Sequence, residues 1–471
     1  MTEMMLEVPA ALKCMMPALR ELMSTVEEQL ERVAGLSPTA EYSSFEQALR
    51  ECVSAVERSA HEAALGALDV DEPRLRINGT EHARVGRHHV AFQSQAGEVA
   101  VTRSLYRPLG VRNAPTVDLV ALRSGAIART WLPGAARAMA HMLQQGTSRE
   151  AEKTAKELGR LPYSRSSFER VGHAVGQCYA DDRERIERHL IEAFEPPTAT
   201  HSISLSLDRV AVPMEEPRPR PPGRPGKHAA ERPISRIFRM AYCGTVTLHD
   251  REANALHTIR YGTMPGGNPQ ALCAALVDDA MVLRSTRPGM NLVLLCDGAP
   301  EMWNLLEGEL DEDVERVRVL DFYHVIEKLS PAAKTLFGDD AQKHLARWRL
   351  LLLNSDSGVT RILRELTDHV LEEPETGEER PVHEATTYLT NHKNKMAYAS
   401  ARTQGLPIGS GNVEATCKSL VGLRMKRSGS RWKVTTGEQL IQLRALALSD
   451  RWDNAMNLLL RAPRVSMRRV A

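Results

Sequence analysis

The stretch from His201 to Asp321 constrains the fold more than any other part of the chain. Its apolar residues come in short runs, in the order SISLSLDRVAVPM, RIFRMAYCGTVTL, ALHTIRYG, a helical run over about 269–285, NLVLLCD, PEMWNLLEGEL and VERVRVLD. Ile203, Leu205 and Leu207 alternate with serines, which marks a strand with one buried face; the unbroken NLVLL marks a fully buried strand. Three strands, a helix, a strand, a helix and a strand predict a mixed α/β sheet. Residues from about Asp321 to Thr403 carry the clusters VIEKL, LARWRLLLL and RILREL and read as helical. Because they fall before one more helix of the sheet domain, they read as an all-helical insertion into it.

The rest of the chain divides around that core. Residues 1–70 read as a helical region, with Leu19, Leu22, Met23, Val26, Leu30 and Val33 on a 3.6-residue repeat. Residues 71–128 read as a small antiparallel β unit, from runs such as HHVAFQ and GEVAVTRSLYR. Within 129–190, a helix over Gly134–Gln145 precedes two more, one opened by Ser148 and stopped by Gly159, the next opened by Ser164. Two short helices about a tight turn match a helix-turn-helix. Ser164, Arg165 and Ser166 at the second helix's start are of the kinds that contact phosphates and base edges. Helix pairs with short turns also occur in any helical domain. The sheet domain then takes 198–330, the insertion 331–403, the sheet domain's final part 404–450, and a basic tail 451–471. The Pro- and Arg-rich EEPRPRPPGRPGKHAAERP between the first two strands reads as an exposed loop.

Charge is distributed unevenly. The 471 residues carry a net +1, yet from Ala401 onward there are 13 Lys/Arg against 4 Asp/Glu. That asymmetry points to a polyanion such as double-stranded DNA, or to a solubilising tail. Seven cysteines, none two residues from another, argue against a zinc ribbon and a disulfide framework and suit a reducing cytoplasm. No basic leader and no run of 18 apolar residues is present, so no membrane partner is expected.

Three acidic residues carry the chemistry. Asp208 follows SISLSL, Asp297 follows NLVLLC, and Glu414 lies in GSGNVEATCKSLVGLRMK, a helix entered through small residues. Each has a bland reading as a turn former or as an acid favoured in a helix's first turn. Together at the carboxyl ends of strands, where open α/β sheets bind ligands, they form a site that a divalent metal pair would neutralise. Such a pair suits in-line attack on a phosphodiester. The helix of Glu414 goes on to Lys418, Arg424, Lys426 and Arg427, with Arg431 and Trp432 beyond, a basic track fitted to phosphates. Asp321 and His324 in DFYHVIEKL stand at i, i+3 and read either as a hydrogen-bonded pair or as supporting residues of the site.

GSGNVEATCKSLVGLRMKRSGSRW, with LLCDGAPEMWNL and DFYHV upstream, resembles the DDE transposases of bacterial insertion sequences, most of all the ISKra family, within the group that carries a (Cys/Asp)-x-x-His motif. The resemblance runs from about Gly134 to about Leu446. It implies an RNase H-like sheet with Asp208 on the first strand, Asp297 on the fourth and Glu414 on a helix after the insertion. It implies that these three bind two Mg²⁺ ions, with Mn²⁺ able to substitute, and that Asp321 and His324 fill the supporting motif. It also implies a cytoplasmic bacterial enzyme that cuts and joins DNA at its element's ends, and the need to hold two ends points to a homo-oligomer on DNA. The chain departs from relatives in having Arg209 where Gly commonly follows the first Asp, and in lacking paired cysteines near GEVAVTRSLYR, so the β unit reads as metal-free. A catalytically silent DNA-binding derivative and a nuclease that never joins ends stay open as alternatives.

Overall fold

The computed structural model describes residues 9–34, 42–217, 223, 234–370 and 380–470. It has two compact units, one made of the residues up to Arg183 together with those from Asp453, the other of Glu184–Trp452. Most of the Pro- and Arg-rich loop lies outside the described residues.

The first unit begins with helices α1 (Met16–Ala34) and α2 (Tyr42–Gly66). A five-stranded antiparallel sheet follows: β1 (Arg74–Ile77), β2 (Thr80–Ser94), β3 (Gly97–Pro108) and β4 (Val117–Asp118), with Met467–Arg469 pairing on the far side of β1. Asn78 and Gly79, both at positive φ, make the tight turn between β1 and β2 that an Asn-Gly pair favours. The C-terminal segment is thus held to the sheet by backbone pairing through Met467–Arg469, although its composition is that of a solvated tail. After α3 (Leu119–Ser124) come α4 (Pro133–Gln145), α5 (Ser148–Glu157) and α6 (Arg165–Asp181). Thr147, one residue before the serine expected to start α5, caps that helix in a reciprocal box with Glu150. Gly159, at φ +62°, ends the turn after it.

The second unit starts with α7 (Arg183–Glu192) and is built on the sheet β5 (Ser202–Pro217), β6 (Ile234–His249), β7 (Ala255–Thr263), β8 (Asn291–Cys296) and β9 (Val317–Leu320). The spatial order is β7-β6-β5-β8-β9, with β5, β6 and β7 antiparallel and β8 and β9 parallel to β5. Helices α8 (Pro269–Thr286) and α9 (Pro300–Gly308) make the crossovers. The chain is therefore mixed α/β with two sheets. The helical stretch comprises α10 (Phe322–Phe337), α11 (Ala341–Asn354), α12 (Gly358–Val370), α13 (Pro381–His392) and α14 (Tyr398–Thr403). Its buried Trp348, Ile362 and Leu389 belong to the same apolar cluster as Leu205, Leu294 and Val319 of the sheet. One continuous core thus fixes the helices to the strands, which lets side chains from both meet at one site.

The last part runs through α15 (Gly411–Thr416), a π-helical turn Cys417–Gly422, the short α16 (Leu423–Met425) and α17 (Val434–Leu448). Trp432 pairs with the distal part of β5: its N–H donates to Pro213 O at 3.1 Å, and its carbonyl accepts from Glu215 N at 2.9 Å. α18 (Trp452–Leu459) and β10, the Met467–Arg469 strand, close the chain.

Candidate active site

Strand register brings Asp297 and Asp321 level, with Asp208 on the neighbouring strand β5. The parallel ladders pair Leu205 with Leu294 and Cys296 with Leu320. Counting on three residues from Leu205 and Leu294 reaches Asp208 and Asp297; counting on one from Cys296 and Leu320 reaches Asp297 and Asp321. The first count runs three residues past the last β5–β8 pair, but the charges of Asp297 and Asp208 both act on the buried Cys296 thiol at the end of β8. Asp208 does not end its strand, as its sequence suggests. Pairing with β8 stops at Leu205, while β5 continues with β6 as far as Pro217. The carboxylate thus sits where one neighbour strand leaves and the other stays.

Each acid is held locally. Asp208 Oδ1 accepts from the N–H of Arg209 at 2.6 Å, and Oδ2 accepts from the thiol of Cys417 at 3.4 Å. Asp297 Oδ1 accepts from Ala299 N at 2.9 Å, and the Asp297 carbonyl accepts from the Trp303 indole at 2.7 Å. Asp321 is fully buried at the N-cap of α10. Its Oδ1 accepts from His324 N at 2.7 Å and its Oδ2 from the N–H of Ser410. Burial raises its carboxyl, but the bonds from His324 and Ser410 outweigh that and hold it low. Glu414 is half-buried in the first turn of α15, which packs on β5 and β6.

His324 joins two of these acids. Its Nδ1 lies 3.2 Å from Asp321 Oδ1 and 3.8 Å from Glu414 Oε1. Contact with Asp321 pushes the imidazole up to about 9 despite partial burial, and the charges of Glu327 and Asp297 add to that. In the metal-free protein this favours the imidazolium at neutral pH. Asp321, His324 and Glu414 each offer a ligand atom within 4.8 Å of the others; among the described residues Asp208, Asp297 and Glu414 do not form such a close group. Arg209 turns away to pair with Glu301, which also accepts from the Tyr242 hydroxyl.

No protein-family profile matches the chain, and no curated protein does. Among solved structures it is similar to the Drosophila P element transposase strand transfer complex, at 12% identity over 68% of this chain and 80% of that one, with a TM-score of 0.24. A likeness of that strength fixes neither fold nor activity.

The expected basic track divides in two. Lys418, Lys426 and Arg431 are exposed and Arg427 is half-buried, whereas Arg424 is only 5% exposed, with its guanidinium 5.0 Å from the centre of the Trp432 ring. Ser164, Arg165 and Ser166 are exposed at the start of α6. There the Ser164 hydroxyl lies 3.0 Å from that of Ser166, and Arg165 N donates to Glu152.

Several neighbours of the site carry no sequence signal of their own. The insertion helix α13 lays Tyr388 and His392 on the Asp297–Gly298 turn. Burial raises the Tyr388 phenol, with the charges of Asp297 and Asp321 adding to it; burial lowers His392, with Lys395 adding to that. Their i, i+4 spacing was the available hint. Cys417 stands at i+3 from Glu414 and contacts both Asp208 and Cys243; the bond with Cys243, then burial, raises its thiol. The π turn that starts at Cys417 is a local widening of the kind that re-aims side chains at functional sites.

Proposed function

We propose that this chain is an insertion-sequence transposase of the DDE type, most like the ISKra family, whose sheet is RNase H-like. The observation that carries the reading is that Asp208 and Asp297 lie on adjacent parallel strands and both act on the Cys296 thiol, with the helix of Glu414 packed on the same sheet. The strand order, three antiparallel strands followed by two parallel ones, agrees with it.

The donors are carboxylate oxygens, which suit Mg²⁺ and tolerate Mn²⁺. Asp208, Asp297 and Glu414 would hold two such ions. When bound they would supply an activated oxygen nucleophile and neutralise charge on the leaving 3′-oxygen. The chain's own residues do the rest. Backbone N–H groups of Arg209 and Ala299 each fix one oxygen of Asp208 and Asp297. His324 stands between Asp321 and Glu414 and, when protonated, offsets repulsion between them and can donate to a phosphate oxygen; with Asp321 it serves as support of the site. Arg209, drawn to Glu301, leaves the carboxylates clear.

In this reading α5 and α6 form the helix-turn-helix that reads element ends through Ser164, Arg165 and Ser166. Lys418, Lys426, Arg427 and Arg431 meet backbone phosphates. Holding two ends at once requires a homo-oligomer on DNA. No helix among the described residues is long and apolar enough to cross a membrane.

The test is cleavage of labelled duplex carrying the DNA that flanks the gene, in Mg²⁺ and Mn²⁺, beside Asp297→Asn. Specific 3′-hydroxyl ends from the wild type alone, and joining of pre-cut ends, are the expected result. Binding without cutting would favour a silent derivative, and cutting without joining a nuclease.

A further inference from the structure

A cleft of about 560 Å³ opens beside the acidic cluster. Its walls are the β6–β7 turn with Arg251 and Glu252, the segment Leu406–Asn412, Arg402 and Tyr323. Tyr323 follows the fully buried Asp321 by two residues and precedes His324, yet it is 58% exposed. Its ring rests on Gly409, where a Cβ would come within 2.7 Å of the ring and 3.9 Å of Asp321 Oδ2. One side of the aromatic is thus seated on bare backbone next to the site, and much of the rest meets solvent. Arg251 and Arg402 are both exposed. Glu252 is the single acid in the lining, and burial keeps His249 on the neutral side. The charged lining is therefore cationic on balance, with an exposed aromatic ring between it and the carboxylates.

We propose that this cleft is a subsite for single-stranded nucleic acid, where Tyr323 stacks on an unpaired base and Arg251 and Arg402 meet the adjoining phosphates. The identity of the ligand rests on the transposase reading above. A paired base has both faces covered by its neighbours, so a lone exposed ring selects unpaired strands, and stacking tolerates any base because each has a π face. In the lining, Gly405 and Gly409 let the Arg251 backbone and the Tyr323 ring approach closely, while Gly411 faces open space and leaves room for a strand. The subsite would grip the strand beside the phosphate that the carboxylates address.

The experiment uses the full chain and a duplex from the gene's flanks that ends in a single-stranded extension, with 2-aminopurine at each extension position in turn. Stacking on Tyr323 quenches the probe at one or two positions. Tyr323→Phe keeps the quench. Tyr323→Ala removes it and weakens binding of the extended DNA by roughly 5- to 100-fold, while blunt duplex binds as before. Arg251→Ala with Arg402→Ala lowers the salt slope for the extended DNA by about 1.4, at about 0.7 per phosphate contact on a single strand. Unchanged melting temperatures keep folding out of these comparisons. Extended DNA bound by Tyr323→Ala with full quench and affinity would overturn the subsite while leaving the transposase reading intact. Failure of the wild type to bind any DNA at low salt would overturn both.

Discussion

The ring of Tyr388 fills the space that a side chain at Gly298 would need. A Cβ there would lie 2.3 Å from one ring carbon and 2.8 Å from the hydroxyl oxygen. Gly298 follows Asp297, and Tyr388 comes from the insertion some ninety residues downstream, so the insertion sets the position of the turn that bears Asp297, a proposed catalytic acid. Gly298→Ala must displace either the ring or the turn. The expected result is destabilisation of about 1–3 kcal/mol, the usual cost of overpacking, with cleavage reduced by more than the loss of folded protein explains. Tyr388→Ala combined with Gly298→Ala should recover part of the stability. Chemical denaturation of both variants measures this, and a double variant no more stable than Gly298→Ala alone would break the link.

His324 makes stability depend on pH in the metal-free protein. Its folded value of about 9 lies above the ordinary 6.5 of an unfolded histidine. A raised value means that the stabilisation is complete below about pH 6.5 and is lost as pH rises through about 9. With a third of the side chain exposed, solvent screening reduces the effect to about 1–2 kcal/mol. Unfolding in EDTA across pH 6 to 10, wild type against His324→Asn, gives the difference. It should shrink with rising pH, and a difference that grows instead would reverse the assignment of the imidazolium.

How much of this was legible in the sequence follows the range of the forces involved. The strands from Ser202 to Leu320 came through because their burial pattern is local, and Asp297 because it follows an unbroken apolar run. The levelling of Asp297 and Asp321 and the neighbouring of Asp208 depend on the pairing of parallel strands, set by contacts far apart in the chain, and the pattern of a single strand does not contain it. The onward course of β5 past Asp208 showed in the continuing run DRVAVPM, but that its partner there is β6 rather than β8 did not. Asp321 read as one of a pair, and its bond from Ser410, 89 positions away, showed only in the fold. Tyr388 and His392 looked like ordinary helix residues until α13 was placed on Gly298.

Charge alone also failed to separate the arginines and lysines after Glu414. Arg424 is buried on Trp432, while Lys426 and Arg431 are exposed. Arg424→Ala is expected to cost about 1–2 kcal/mol in stability through lost packing and cation–π contact. Lys426→Ala and Arg431→Ala should leave stability within about 0.5 kcal/mol and each lower the salt slope of DNA binding by about 1. Thermal melts and binding titrations over a salt series separate the two classes. An Arg424→Ala protein with normal stability and a reduced slope would return that residue to the basic track.

Cys417 provides the sharpest test of how Asp208 is oriented. Its thiol donates to Asp208 Oδ2 at 3.4 Å from the first residue of the π turn, and it also contacts Cys243 on the strand opposite. Cys417→Ser keeps a donor of similar size, so cleavage should stay within about threefold of wild type, from a small change in one hydrogen bond. Cys417→Val keeps the volume but removes the donor. It should lose about 1 kcal/mol of orientation at Asp208, seen as roughly a fivefold lower rate with little change in melting temperature. If Asp208 holds Mg²⁺ as proposed, the loss should appear partly as a higher Mg²⁺ requirement, which simple loosening of the core would not produce. Equal rates and equal Mg²⁺ dependence for the Ser and Val variants would show that the thiol fills space beside Asp208 and does not aim it.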